Sequence, residues 1–370
     1  MEKKKVKRDA NIELLRIVAM LMVITLHCVG HSGLLGNEKL NTINLILVRF
    51  LDSFSATANA IFIIITGYYS ISQKINLKRI LSLWGKTILY SSLISIICII
   101  LGKNVSAFRS FFPVLSGEYW FISAYIAFSF FIPVINIVLN KLSQKQMKYT
   151  LIVSILMFSI IRLLFNPTGI FNSALLHMPI IYMIGAYIRK YVEIRPKQKY
   201  FIKYVLVTII FTIVYIILKA LLEVFAETNL DLYIIATRTI SIYRDFINIF
   251  LVIMTVLIFI KFKTISISSS KLSKIITFIS PSVFSIYILH ENVNIRDTMW
   301  SQIGLLNYAN SWLLIPYAIL MILCVFTVCL LIDLVRRGLY YLLKKISFVN
   351  NFVDKVNQKI IIINEKTSSG

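Results

Sequence analysis

The chain has 370 residues, 58% of them hydrophobic, with a formal net charge of +23 and a mean hydropathy of +0.81. Repeated apolar runs of eighteen or more residues are too long and too many for the core of a soluble protein, and mark a polytopic membrane protein. The positive charge does not make it a nucleic-acid binder, because Lys and Arg are confined to short loops between the runs, where they set topology.

In chain order, the apolar runs predict spans near 12–31, 50–72, 81–102, 118–139, 150–166, 173–190, 201–222, 240–260, 276–292 and 311–333. The expected fold is all-α, a transmembrane helical bundle of about ten spans. Loops on one side hold 28 of the 39 Lys and Arg, and loops on the other hold seven. Because Lys- and Arg-rich loops stay inside, both termini are expected in the cytoplasm, in a multi-pass protein of the cytoplasmic membrane. Residues 1–343 then form the membrane domain. Residues 344–370 read as a basic cytoplasmic tail, within which 344–363 is an amphipathic piece lying on the lipids of the inner leaflet.

The basic start KKKVKR before an apolar run also opens a signal peptide. Here the run contains Arg16 and His27 and no A-x-A-like site follows, so a retained first span is expected. Cys28, Cys98, Cys324 and Cys329 are scattered through apolar segments. They read as packed thiols, and neither a disulfide framework nor a metal site is expected.

Within the first span, NIELLRIVAMLMVITLHCVG, Arg16 and His27 stand eleven residues apart. A helix rises about 16 Å and makes about three turns over that interval, so both side chains face one way at different depths. Ionisable residues inside a span are costly and mark function by default. A cation near the inner end and an imidazole nearer the outer end fit a long anionic ligand lying along the helix. Two plainer readings stay open: Arg16 snorkels to the headgroups, and His27 hydrogen-bonds between helices.

Three later stretches extend the pattern. IFIIITGYYSI (61–71) carries Thr66, Gly67 and Tyr68 near the depth of Arg16. Gly67 admits close approach of a helix or ligand, and Tyr68 is either packing or a donor contact. GEYWFISAYIAFSFFIPVIN (117–136) opens an outside-to-inside span with Glu118, Tyr119 and Trp120. The aromatics form an interfacial belt, or a platform for the apolar face of a sugar whose hydroxyls Glu118 would bind. SVFSIYILHENV (282–293) carries His290 followed by Glu291; the two make an interfacial pair, or His290 is a second part of the site. His31 and His177 are expected at the outer boundary with no chemistry, and Lys86 is expected to snorkel.

The R-x10-H of Arg16 and His27 resembles the opening helix of the acyltransferase 3 family of membrane acyltransferases. The other three stretches resemble, in the same order, its F-x-x-S-G-Y, Y-W-F-x-x-x-Y and I-Y-x-x-H blocks. The match departs at Thr66, which stands for Ser, and at Ile63, among positions usually held by Phe. The resemblance implies transfer of an acyl group, most often acetyl, from an acyl-CoA such as acetyl-CoA to a hydroxyl of a cell-surface glycan or lipid-linked sugar. No permanently bound cofactor is expected. On this reading His27, His290 and Glu118 are the catalytic candidates, Arg16, Thr66, Gly67 and Tyr68 hold the donor, and Tyr119 and Trp120 hold the acceptor. Thioester chemistry supports the assignment, since it needs a base titrating near neutrality and a cation for phosphate. A polysaccharide flippase or polymerase-type transporter would share the spans and basic loops, but has no reason to place an Arg and a His on one stripe.

Overall fold

The computed structural model describes residues 9–35, 40–72, 77–165, 173–196, 198–228, Leu232 and 248–343, without the side chains of 160–165, 223 and 225–228. The tail expected over 344–370 lies outside the described residues. Those described form helices and no strand: α1 (Ala10–His31), α2 (Thr42–Ser55), α3 (Ala58–Ser70), α4 (Leu77–Ile100) and the short α5 (Ala107–Phe111). They are followed by α6 (Trp120–Lys141), α7 (Gln144–Phe165), α8 (Ala174–Tyr191), α9 (Tyr200–Thr228) and α10 (Ile249–Thr264). The last are α11 (Ser270–Ile279), α12 (Val283–His290), α13 (Arg296–Ile303) and α14 (Leu314–Leu343).

A membrane demands that backbone N–H and C=O groups be satisfied within the segment, which a helix does. Seven stretches among the described residues are long and apolar enough to cross: 10–31, 42–70, 77–100, 120–141, 200–222, 270–290 and 314–343. The protein is a helical membrane bundle. The other three expected spans fall on α7, α8 and α10. Large apolar side chains such as Ile97, Ile100, Leu206, Ile213 and Leu331 are exposed on the outer surface, where lipid is the solvent.

Helix α1 is the hub. It packs against α2, α3, α10, α11, α12, α13 and α14, so its polar residues lie inside the bundle and not on a lipid-facing edge. Helices α3 and α8 make the most extensive contact in the fold, and two glycines allow it. A Cβ on Gly67 would collide with the Tyr182 carbonyl oxygen, and one on Gly185 with that of Ile64. Small residues at a crossing let backbones approach in this way. The crossing is pinned by Asn136 of α6, which accepts from the Tyr182 hydroxyl at 2.6 Å and donates to the Ser70 carbonyl at 2.8 Å.

The structure corrects several expected boundaries. The span placed at 50–72 begins at Thr42 and is broken into α2 and α3 at Ala56–Thr57. Polar residues that suggested a loop there are satisfied internally. Asn41 caps the helix by accepting from the Asn44 N–H at 2.8 Å, and the Arg49 guanidinium is buried, 4.7 Å from the centre of the Tyr215 ring. The span at 276–292 is likewise composite, with a 3-10 turn at Ser280–Ser282 joining α11 to α12. Helix α14 runs ten residues past the expected end at 333. Arg336, counted with the tail, pairs there with the fully buried Asp333 at 2.9 Å, and Tyr90 of α4 donates to the same carboxylate at 2.6 Å.

Candidate functional site

Two cavities open at opposite ends of α1. The first, of about 380 Å³, lies at the Arg16 end. Arg16, Arg79 and Lys86 line it against a single carboxylate, Glu13. Three cations facing one acid make a receptor for a multiply charged anion such as a phosphate chain. Lys86 therefore faces a cavity, where snorkelling alone was expected. Thr66 lines the same space and donates to the Phe62 carbonyl at 2.8 Å, with the Tyr125 hydroxyl 2.8 Å away.

Of the other residues expected around the donor, Gly67 is taken up by the α3–α8 crossing. Tyr68 does not line this cavity. Its hydroxyl accepts from Arg189 at 3.3 Å, and its ring lies 5.1 Å from both the Arg189 guanidinium and the Lys263 ammonium. Nearby, Tyr69 and Lys263 both donate to Asp9, at 2.5 and 3.2 Å. Burial works to raise the Asp9 carboxyl, but those hydrogen bonds and the positive charge of Lys263 prevail and hold it low.

The second cavity, of about 1000 Å³, lies at the His27 end and is lined by His27, His31, Trp120 and His177 among others. Behind it sits a polar cluster built from α1 and the end of α12. His290 Nδ1 lies 2.6 Å from the Ile286 carbonyl. A carbonyl only accepts, so Nδ1 carries the proton and the Nε2 of neutral His290 is a bare lone pair. That Nε2 is 3.0 Å from His27 Nδ1, which must then donate. With the proton on Nδ1, a neutral His27 has its lone pair on Nε2. Sequence spacing could not supply this tautomer, and it is the one a general base requires.

Glu291, which the sequence offered only as half of an interfacial pair, belongs to the cluster. Its Oε2 lies 3.0 Å from His27 Nδ1 and 3.3 Å from His31 Nε2, and its Oε1 accepts from Arg296 at 2.9 Å. It is an anion placed to orient His27 and to stabilise it once protonated. His31 and His177, expected to be idle at the boundary, both line the cavity.

Two expected residues are elsewhere. Glu118 does not line the His27 cavity. Tyr119 is fully buried, and its hydroxyl accepts from Asn292 at 2.8 Å, so it secures the segment after α12. Trp120 is 46% exposed and lines the cavity. Between the two cavities runs a chain of rings. Phe284 and Tyr125, which line the first, lie 6.0 Å apart, and Tyr125 stacks on Phe121 at 6.0 Å. Phe121 is 6.5 Å from Tyr287, and Tyr287 is 6.1 Å from His27. The Tyr287 hydroxyl is buried and has no hydrogen-bond partner among the described residues.

The family model of an acyltransferase domain covers residues 9–334, a range that takes in both cavities. No curated protein and no solved structure matches the chain.

Proposed function

The chain belongs to the acyltransferase 3 family, and from that premise we propose that this membrane acyltransferase moves an acetyl group from acetyl-CoA to a hydroxyl of a surface glycan or lipid-linked sugar. The observation that carries the reading is the pair of cavities at the two ends of α1, one holding Arg16 and the other His27. The phosphates of coenzyme A bind Arg16, Arg79 and Lys86 at the cytoplasmic end. The pantetheine arm follows α1 toward His27, about 16 Å away at 1.5 Å of rise per residue.

At His27 the acceptor oxygen attacks the thioester carbon while Nε2 takes the hydroxyl proton. The resulting tetrahedral oxyanion needs a hydrogen-bond donor, and we assign to it the buried Tyr287 hydroxyl, which lines neither cavity but belongs to a ring 6.1 Å from that of His27. The oxyanion collapses, the C–S bond breaks, and protonated His27 returns its proton to the departing thiolate. No net proton is released. Glu291 and His290 hold His27 in the required tautomer throughout. Trp120 offers a ring face to the acceptor at the mouth of the cavity, with His31 and His177 on the walls.

Sealed vesicles of known orientation test the arrangement, with acetyl-CoA supplied at one face and acceptor at the other. Arg16→Ala should raise the KM for acetyl-CoA by about 10–100-fold with kcat little changed, the loss of a charged hydrogen bond worth about 1.5–3 kcal/mol. Trp120→Ala should impair use of the acceptor and leave donor KM alone. Transfer that requires both substrates on one face would overturn the proposal. The same proposal puts both termini in the cytoplasm. A single cysteine at Asn307 should then react with an impermeant reagent added outside intact cells, and one at Lys145 or Ser269 should not. Labelling of Lys145 from outside would reverse the topology.

A further inference from the structure

We propose that His27, His290 and Glu291 also form a binding site for a divalent metal ion of the zinc class, and that metal binding and acyl transfer exclude one another. The second half rests on the proposed role of His27 as the base; the first half does not.

The ligand atoms are already gathered. His27 Nδ1, His290 Nε2 and Glu291 Oε2 all lie within 4.8 Å of one another, and His27 Nδ1 is 3.0 Å from each of the other two. Zinc bonds of about 2.0–2.1 Å at tetrahedral angles set ligand atoms about 3.3 Å apart, so the first two pairs need to open by only a few tenths of an ångström. Two imidazoles and a carboxylate suit zinc and its neighbours, while magnesium and calcium favour sites made wholly of oxygen.

The outer partners of such a site are present too. His290 is fixed by its Nδ1–H to the Ile286 carbonyl at 2.6 Å, the support a metal-bound histidine ordinarily has. Glu291 is held through Oε1 by Arg296. Its Oε2 is buried with the His27 and His31 imidazoles 3.0 and 3.3 Å away, all within reach of one shared ion. His31 Nε2, 3.3 Å from the same oxygen, is the natural fourth ligand. Arg296 works against a divalent ion by its charge, and the site is accordingly weaker than one without it. The ion has a route in, since His27 and His31 line the open cavity.

The consequence for catalysis follows from the imidazole. A metal on Nδ1 of neutral His27 shifts the ring proton to Nε2. That nitrogen then has no lone pair to accept the acceptor's proton. Zinc is therefore an inhibitor, acting at the atom that orients the base.

Equilibrium dialysis of the purified full chain against Zn²⁺, with elemental analysis, reads the site without any turnover. Co²⁺ serves as a second probe through its visible absorption. One ion per chain is expected. Glu291→Gln and His290→Gln, each first shown to be monodisperse, should weaken binding by at least ~10–100-fold, the loss typical even of an outer partner. Binding that is absent in the wild type, or unchanged in both variants, overturns the site. In the transfer assay zinc should suppress activity and EDTA should restore it. Zinc bound through these residues with transfer unaffected or raised overturns the exclusion. A preparation inactive in transfer counts against the acyl-transfer reading, while the dialysis result alone decides the metal site.

Discussion

His27→Ala should lower the turnover of acyl transfer by about 10²–10⁴-fold, the usual weight of a positioned general base, while the KM for acetyl-CoA stays close to that of the wild type. The split follows from geometry. His27 lines the cavity at its own end of α1, and the cationic groups proposed to hold the donor line the other. Proton transfer belongs to the transition state, so its loss appears in kcat and not in ground-state affinity. Tyr287→Phe removes one hydroxyl from the same centre and should be milder in the same parameter. Steady-state kinetics on purified, monodisperse variants is the measurement. A His27→Ala enzyme that keeps most of its turnover would leave His27 as a hydrogen bond between α1 and α12 and nothing more.

Alanine at Gly67 or Gly185 should be the most damaging of the purely structural substitutions. Each added Cβ would strike helix backbone, which cannot swing aside as a side chain can. At Gly67 it would fall 2.8 Å from the Tyr182 carbonyl carbon as well as against its oxygen, and at Gly185 2.8 Å from the Tyr68 nitrogen. Overpacking generally costs about 1–3 kcal/mol, occasionally more. A backbone collision at the closest crossing in the bundle belongs at the high end. The internal control is Gly85, also helical, where a Cβ meets nothing within 4 Å. Gly85→Ala should be neutral or stabilising by up to about 1 kcal/mol through helix propensity. Fluorescence-detected size exclusion after heating would rank the three. Gly67→Ala with the wild-type melting temperature would mean that α3 and α8 separate without penalty.

The helical bundle was legible because long apolar runs admit no other structure in a membrane, and Arg16 and His27 because eleven residues of one helix fix a common face without knowledge of neighbours. Glu291 was not legible as a member of the His27 cluster. It falls one residue beyond the end of α12, where an acid looks like an ordinary boundary residue, and periodicity within a helix does not say which helices meet. The signal was present in the run HENVN (290–294) directly after the apolar IYIL (286–289). His290, Glu291 and Asn292 are all buried, and such a run at the end of a buried helix needs partners. Asp333, Arg336 and Tyr90 escaped for a related reason. Charge next to an apolar run reads as its end, whereas here the ions satisfy one another and the helix continues. Tyr119 and Trp120 are neighbours in sequence with opposite surroundings, one buried on Asn292 and the other open to a cavity. Residue type alone does not separate those two fates.

The rings between the cavities have a further meaning on the proposed reading. An enzyme that receives one substrate from each side of a membrane risks becoming a leak. Each elementary charge crossing it releases about 2.3 kcal/mol per 100 mV of potential. Phe284, Tyr125, Phe121 and Tyr287 set apolar edges between the two cavities that a hydrated ion would cross only by shedding its water, while an uncharged arm gives up far less hydration than an ion does. On that reading the phosphates would stay on the near side of this wall and only the neutral acyl end would pass it. The two compartments would then be joined by a chemical bond in transit and stay electrically insulated from each other.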